Sequence, residues 1–157
     1  MPSRSRARIW TLILWILLIA NLSFLAIQLI PVEYSNPPVV REPHWDSPQT
    51  RAYAKRACFD CHSNETQWPW YAYLAPFSWR ITGHVQAARA KFNISEWSPG
   101  DGDEAARLVA ENKMPLWDYR LFHPAAQFSE ADKQAFIAGL KATFGQATLP
   151  AQVSSVR

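Results

Sequence analysis

Cys58, Phe59, Asp60, Cys61 and His62 stand together as Cys-x-x-Cys-His, and the chain of 157 residues contains no other cysteine. However the rest folds, two thiols and the imidazole that follows them must be presented to one object. The pattern is the attachment site of c-type haem. Its spacing lets both thiols reach the two vinyl groups along one porphyrin edge as thioethers, and holds the next imidazole under the iron as the proximal ligand. A redox Cys-x-x-Cys would call for a βαβ pattern nearby, and none is visible. A zinc site would need two further ligands at finger-like spacing, and His44, His84 and His123 fall at no such spacing. A structural anchor without haem, closed by a Cys58–Cys61 disulfide, would follow only in a host that cannot mature c-type haem.

The second constraint is the compartment. Ile9 to Ile30 is a run of 22 residues without a charge, closed by Pro31. At 1.5 Å per residue it is long enough to cross a hydrocarbon core of about 30 Å. Arg4, Arg6 and Arg8 precede it and no acid does, so residues 1–8 are expected in the cytoplasm and everything after Pro31 outside. Trp10 suits the headgroup level at the inner end. A cleaved signal peptide has a shorter apolar core of roughly 7–15 residues and a small-x-small cleavage site, which Leu29-Ile30-Pro31-Val32 does not offer. Asn21 and Ser23 weaken the span without breaking it. The expectation is a single-pass anchor in a bacterial inner membrane with a periplasmic domain. Haem c is attached on that side of the membrane, so the two features agree.

Charge adds little beyond orientation. The formal net charge is +3, and the three N-terminal arginines account for all of it. Residues 32–157 carry 13 basic and 13 acidic side chains. No basic stripe with interleaved aromatics is present, so a nucleic-acid partner is excluded on this pattern.

Composition and punctuation divide the chain into a cytoplasmic N-terminus (1–8), a transmembrane anchor (9–30), a Pro-rich tether (31–46), a haem-binding domain (47–145) and a C-terminal tail (146–157). The tether reads as an extended, semi-rigid spacer of about 3 Å per residue, reaching about 40–50 Å; the alternative is a segment that lies over the domain surface, and Trp45 favours packing of its last residues. Ser47-Pro48 is an N-cap followed by Pro at the first helical position, and predicts a helix to Ala57 that delivers the haem motif at its end. A second helix is expected over Ser78–Phe92. Asp101-x-x-Glu104 has capping-box spacing and predicts a third helix ending near Met114, before Pro115. Ser129-x-x-Asp132 predicts a last helix with Phe136, Ile137, Leu140 and Phe144 on its apolar stripe and Gly145 as its stop. No segment alternates as a strand. The expected fold class is all-α: one helical haem domain of about 100 residues, whose limited core a macrocycle would complete.

Four segments carry a family resemblance: CFDCHSNETQWPWY (Cys58–Tyr71), SWRITGHV (Ser78–Val85), FNISEW (Phe92–Trp97) and KMPLWDYRLFHPAAQFS (Lys113–Ser129). Together they resemble the bacterial haem-binding domain family related to c-type cytochromes, over about Thr50 to Thr143. The Ser63-to-Tyr71 extension is more specific than the haem motif itself. The resemblance implies covalent haem c, a cytochrome-c-like helical fold and an envelope location. Two departures stand out. The family tends toward His-Val-x-x-Gly-Arg where this chain has Ala88, and toward Leu where it has Phe128. Both read as packing changes.

The sixth iron ligand would decide the chemistry. Met/His coordination fills the iron and raises its potential, as in electron carriers. Apart from the initiator, Met114 is the only methionine, and it stands before Pro115, as in the Met-Pro loop of small c-type cytochromes. The competing reading is a core methionine at a helix end. His84 and His123 are alternative distal ligands, and bis-His ligation would lower the potential. Trp68, Trp70, Trp79, Trp97 and Trp117 are many for so small a domain. An indole N–H held to a propionate is one use for them, and an ordinary aromatic core is the other. Trp68, Trp70, Trp79 and Arg80 are the candidates for a haem pocket, with Arg89 a further candidate for propionate pairing.

The expectation is therefore a membrane-anchored c-type cytochrome with one covalent haem c, carrying single electrons to a redox partner that the sequence does not name. The rival is a haem enzyme or haem-based redox or gas sensor with an open or displaceable sixth ligand. No Ser/His/Asp or paired-carboxylate constellation supports substrate turnover. Asn64-x-Thr66 and Asn93-x-Ser95 match glycosylation acceptors, without any sign of a eukaryotic secretory route.

Overall fold

An uncharged run that satisfies its own backbone hydrogen bonds has every reason to be helical, and the N-terminal run is one long helix. The computed structural model describes residues 4–145; the expected C-terminal tail, 146–157, lies outside the described residues. Helix α1 spans Arg4–Ile27. Its Arg6–Ile27 stretch, 22 residues, is long and apolar enough to cross a membrane, and none of its most apolar window is buried inside the protein. The helix takes in Arg6 and Arg8 and stops three residues short of the expected Ile30. Gln28, Leu29 and Ile30 close it with N–H bonds to the carbonyls of Leu25, Ala26 and Ile27 (3.2, 3.1 and 3.4 Å), a tightened last turn.

The secondary structure of the described residues is helical throughout, apart from one isolated bridge between Arg41 and Glu96. After α1 come α2 (Pro48–Ala57), α3 (Phe59–His62), a 3₁₀ turn (Trp70–Tyr73), α4 (Phe77–Lys91), α5 (Ala105–Ala110), α6 (Trp117–Phe122), a second 3₁₀ turn (Pro124–Ala126) and α7 (Glu130–Gly145). The chain forms two compact units. One joins residues up to Tyr34 with Trp68–Gly83, and the other joins Ser35–Gln67 with the residues from His84 onward.

In the first unit the Gln28 side chain closes a two-way contact with the Ala75 backbone. Its Oε1 accepts from Ala75 N–H at 2.9 Å, and its Nε2 donates to the Ala75 carbonyl at 3.3 Å. The Tyr34 hydroxyl donates to the Ala72 carbonyl at 2.8 Å, while its ring meets Trp68 edge-on and Tyr73 at a tilt.

In the second unit α2 begins where the sequence predicts. Ser47 is extended (φ −152°), and its Oγ accepts from Thr50 N–H at 3.2 Å. The same logic opens α7, where Ser129 Oγ accepts from Asp132 N–H at 3.1 Å and donates to the Asp132 carboxylate. The core is a buried cluster that includes Tyr53, Ala54, Phe59, Ile94, Phe136, Leu140 and Phe144, with Trp45, Phe92 and Met114 packed against it. Helices α2 and α7 approach so closely that a Cβ on Gly139 would meet the Thr50 side chain, with its Cβ at 2.9 Å. Phe128, one of the two departures from the family pattern, stacks among Tyr53, Phe136 and the Arg56 guanidinium.

Two expectations need correction. The capping box at Asp101 does not form, and the third helix shrinks to Ala105–Ala110 with Glu104 making no side-chain cap. The Asp101 carboxylate is already taken by the Ser98 N–H (2.8 Å), and Gly100 and Gly102 have φ of +99° and +81°. That left-handed backbone suits glycine and holds off the helix. The Pro-rich segment from Ser35 onward is not a free spacer. Val40 and Arg41 N–H both bond to the Ser95 carbonyl at 2.9 Å, and Trp97 N–H returns to the Arg41 carbonyl at 3.0 Å. Glu42 also receives Arg51 in a two-point ion pair, at 2.8 and 2.7 Å. Finally, α6 and the two 3₁₀ turns had no counterpart in the sequence reading.

Candidate functional site

The haem motif begins where α2 ends. Cys58 N–H closes the last turn of α2 on the Ala54 carbonyl (2.8 Å), and the Cys58 carbonyl then accepts from both Cys61 N–H (3.1 Å) and His62 N–H (2.8 Å). One helical turn, α3, thus brings Cys61 and His62 together, with Phe59 buried under it as the anchor. Both cysteines are half-buried free thiols. Burial pushes Cys58 up to about 12, helped by Cys61; it pushes Cys61 up to about 11, with Asp60 and Asp118 adding to the rise.

His62 is oriented from behind. Its Nδ1 lies 3.0 Å from the Phe92 carbonyl oxygen. A carbonyl accepts only, so Nδ1 carries the proton and donates, leaving Nε2 as the lone-pair nitrogen. Burial also lowers the His62 pKa, against the opposing pull of the Phe92 carbonyl. The neutral imidazole a metal needs is the favoured form.

The Ser63-to-Thr66 extension builds the frame for that pair. Asn64 is buried; its N–H bonds to Ser95 Oγ (2.9 Å), and its side-chain amide donates to the Pro38 carbonyl (3.2 Å) and to Glu96 (2.9 Å). Asn93 donates to Asn64 Oδ1 at 2.9 Å and accepts from Ser95 N–H at 3.0 Å. The two apparent glycosylation acceptors are thus members of one latch. Thr66 Oγ donates to the Asp60 carbonyl (2.8 Å), and Gln67 N–H bonds to the Asp60 carboxylate (3.0 Å). Arg89 completes the frame by donating to the Ser63 and Ser35 carbonyls (both 2.8 Å), to Thr66 Oγ (2.9 Å) and to Asn36 Oδ1 (3.0 Å). Its fork is a structural tie across the loops, a role different from the propionate partner the sequence suggested.

Cys61 and His62 open into a cavity of about 180 Å³, whose wall includes Ala57, His84, Ala87, Ala88, Lys91, Met114, Pro115, Leu116 and Tyr119. Helix α4 contributes positions 84, 87, 88 and 91, one face of a helix at its own repeat. Ala88, where the family tends toward glycine, stands on this wall. Met114 is half-buried against the core, with its N–H on the Leu108 carbonyl at 3.2 Å. Residues 58, 61, 62 and 114 supply two thiols, an oriented imidazole and a thioether. This donor set fits a haem: the two thiols, the imidazole nitrogen and the thioether sulfur are the kinds of group that would hold a porphyrin and its iron.

The other sequence candidates divide. His84 lines the same cavity as His62 and Met114. His123 does not line it; it borders a separate, larger cavity of about 530 Å³ beside Arg56, Phe59 and Asp60. There its ring stacks on Tyr119 at 3.8 Å, and its Nδ1 lies 2.9 Å from the Tyr119 carbonyl. Trp68, Trp70, Trp79 and Arg80 belong to the first unit, and Trp70 is 78% exposed. The Trp97 indole donates to the Asp101 carbonyl at 3.1 Å, and Trp117 is exposed.

Tyr119 is the residue that sequence reasoning missed. It borders both cavities, and its hydroxyl donates to the Asp60 carboxylate, inside the haem motif, at 2.7 Å. Burial and the Asp60 carboxylate raise the phenol pKa well above its ordinary range. The only sequence signal was its place in the Lys113–Ser129 segment.

The haem-binding domain family matches residues 22–142. The chain belongs to that family. The match begins inside α1 and takes in the segment before the haem motif, well upstream of the Thr50 at which the resemblance was read. No curated protein and no solved structure matches this haem-binding domain chain. Among the described residues, no group of three or more His, Cys, Asp and Glu side chains is placed to hold a separate metal ion.

Proposed function

We propose that this haem protein is a membrane-anchored c-type cytochrome with one covalent haem c, facing the periplasm and relaying single electrons to a partner protein. The observation that carries the reading is the cavity shared by Cys61, His62 and Met114, with His62 Nδ1 already committed to a backbone carbonyl. When bound, haem supplies one-electron iron chemistry at a potential set by its axial ligands.

The chain's own residues do the rest. Cys58 and Cys61 would hold the haem through thioethers, each thiol adding its sulfur and its hydrogen across one vinyl group, a step that balances without an oxidant. His62 offers Nε2 from a fixed ring. Met114 offers its sulfur from a backbone held to the Leu108 carbonyl. Helix α4 walls the cavity with the small side chains of Ala87 and Ala88. The three arginines in the first turns of α1 favour a cytoplasmic N-terminus, with everything after Pro31 outside. An anchored carrier searches for its partner along a surface, which raises its effective concentration there.

His84 is the second reading for the distal ligand, because it lines the same cavity. The ferric visible spectrum of the full-length protein, matured with haem, separates the cases. A low-spin spectrum whose weak long-wavelength Met–iron band disappears in Met114→Ala supports His62/Met114 ligation and electron carriage. A spectrum unchanged in Met114→Ala but altered in His84→Ala makes His84 the ligand. A high-spin spectrum in the unsubstituted protein overturns the carrier reading in favour of an enzyme or sensor with an open site.

A further inference from the structure

The first unit is built inside out. Along Trp70–Thr82 the buried residues are small or polar: Ala72 (0%), Ala75 (3%), Ser78 (3%) and Thr82 (5% exposed). The large apolar residues between them face outward: Trp70 (78%), Tyr73 (58%), Leu74 (36%), Phe77 (52%) and Trp79 (37%). A segment folded for water shows the reverse pattern, and an exposed apolar cluster of this density marks a contact surface. Small residues within and large apolar residues without is the arrangement of a protein surface solvated by lipid.

We propose that Trp70–Trp79 is a second membrane contact, seated in the headgroup–acyl boundary of the leaflet from which α1 emerges. The proposal rests on the reading of α1 as a membrane anchor and is independent of the haem reading. The occupant follows from where the segment is held. Gln28 is the first residue past α1, and its side chain grips the N–H and carbonyl of Ala75. Tyr34, six residues further, bonds to the Ala72 carbonyl and packs on Trp68 and Tyr73. The two backbone points that carry the exposed rings are therefore hydrogen-bonded to the chain at the exit of the span. Leu29 and Ile30, at the same place, are 83% and 51% exposed.

Chemistry agrees with position. Trp and Tyr concentrate at the membrane–water interface, where an apolar ring and a polar edge are both satisfied. The chain carries no Asp or Glu from Thr66 to Ser95, and Arg80 is the one charged residue between Trp68 and Gly83. Positive charge beside such rings suits anionic lipid phosphates, whereas a carboxylate there would be repelled.

The test is photocrosslinking in the full-length protein, which leaves Cys58 and Cys61 untouched. The photoreactive residue p-benzoylphenylalanine is placed in turn at positions 17, 70, 77 and 86, in nanodiscs of phosphatidylcholine and phosphatidylglycerol. Leu17 reports the span, and exposed Gln86 on α4 reports a water-facing surface. Lipid adducts at 17, 70 and 77, several-fold above the yield at 86, are expected. Adducts at 17 with yields at 70 and 77 no higher than at 86 would overturn the interfacial seat and leave the anchor standing. Adducts to protein instead of lipid at 70 and 77 would overturn it in favour of a protein partner. Loss of adducts at 17 as well would overturn the seat together with the anchor on which it rests.

Discussion

His62 and Phe92, thirty residues apart, hold one another: His62 Nδ1 lies 3.0 Å from the Phe92 carbonyl, and two residues on, Ile94 N–H returns to the His62 carbonyl at 2.7 Å. The pair fixes the ring's tautomer and direction before any ligand arrives. Its rigidity depends on the Asn64–Asn93–Ser95 latch beside it, because a carbonyl can orient a ring only if its own loop is fixed.

Asn64→Ala should therefore destabilise the protein by about 1–3 kcal/mol, since it removes a buried amide that makes three side-chain hydrogen bonds. Chemical denaturation measures this directly. Asn93→Ala should cost less, and the double variant should cost less than the sum of the two. A loss below about 0.5 kcal/mol for Asn64→Ala, the range of a neutral surface change, would contradict the latch.

Tyr119→Phe removes a hydroxyl that donates to the Asp60 carboxylate at 2.7 Å. A bond to a charged group contributes about 1.5–3 kcal/mol, so a stability loss of that size is expected by thermal or chemical unfolding. Because burial and Asp60 both raise its pKa, the phenol stays protonated in the folded protein as pH passes 10.0. Difference ultraviolet titration of the unsubstituted protein against Tyr119→Phe should thus show no extra ionising tyrosine until the fold is lost.

Glu42 gives the pH dependence its sign. Its bond from Arg51 holds its pKa below the ordinary 4.5. The stabilisation is present above that ordinary value and is lost as pH falls through the lowered one. The pair is part-exposed, so its contribution is about 1 kcal/mol or less. Glu42→Gln should reduce stability by that amount at neutral pH and by nothing in strong acid, as a series of denaturation curves would show.

Gly139→Ala places a methyl against Thr50 in the α2–α7 contact. Overpacking of this kind costs about 1–3 kcal/mol. The melting temperature should fall, and a Thr50→Gly partner substitution should recover part of the loss. An unchanged melting temperature would mean that α2 and α7 separate at no cost.

What the sequence made legible was mostly local. Ser47-Pro48 and Ser129-x-x-Asp132 announce α2 and α7 because each cap bonds to its own third neighbour. Asp101-x-x-Glu104 has the same spacing and fails, since Ser98 competes for the carboxylate and two left-handed glycines interrupt the turn. Cys58, Cys61, His62 and Met114 were identifiable as types, and the fold brings residues 61, 62, 84 and 114 to one cavity. The Phe92 carbonyl was not legible, because a backbone acceptor has no letter of its own. Arg89 and Arg80 looked alike as letters; only the fold shows Arg89 spanning four oxygens. The Pro-rich segment resembled a spacer because its bonds to Ser95 and Thr66 join residues far apart in sequence. The exposure of Trp70 was not legible either, because a tryptophan letter does not state which way it faces.

The account rests on covalent haem at Cys58 and Cys61, and the intact mass of the matured full-length protein tests it most directly. The prediction is a mass increase of one haem that survives acid–acetone extraction, together with the haemochrome spectrum of a doubly thioether-linked porphyrin. Both should be lost in Cys58→Ser/Cys61→Ser. An unmodified mass from cells that mature other c-type cytochromes, or a haem that acid–acetone removes, would contradict the account.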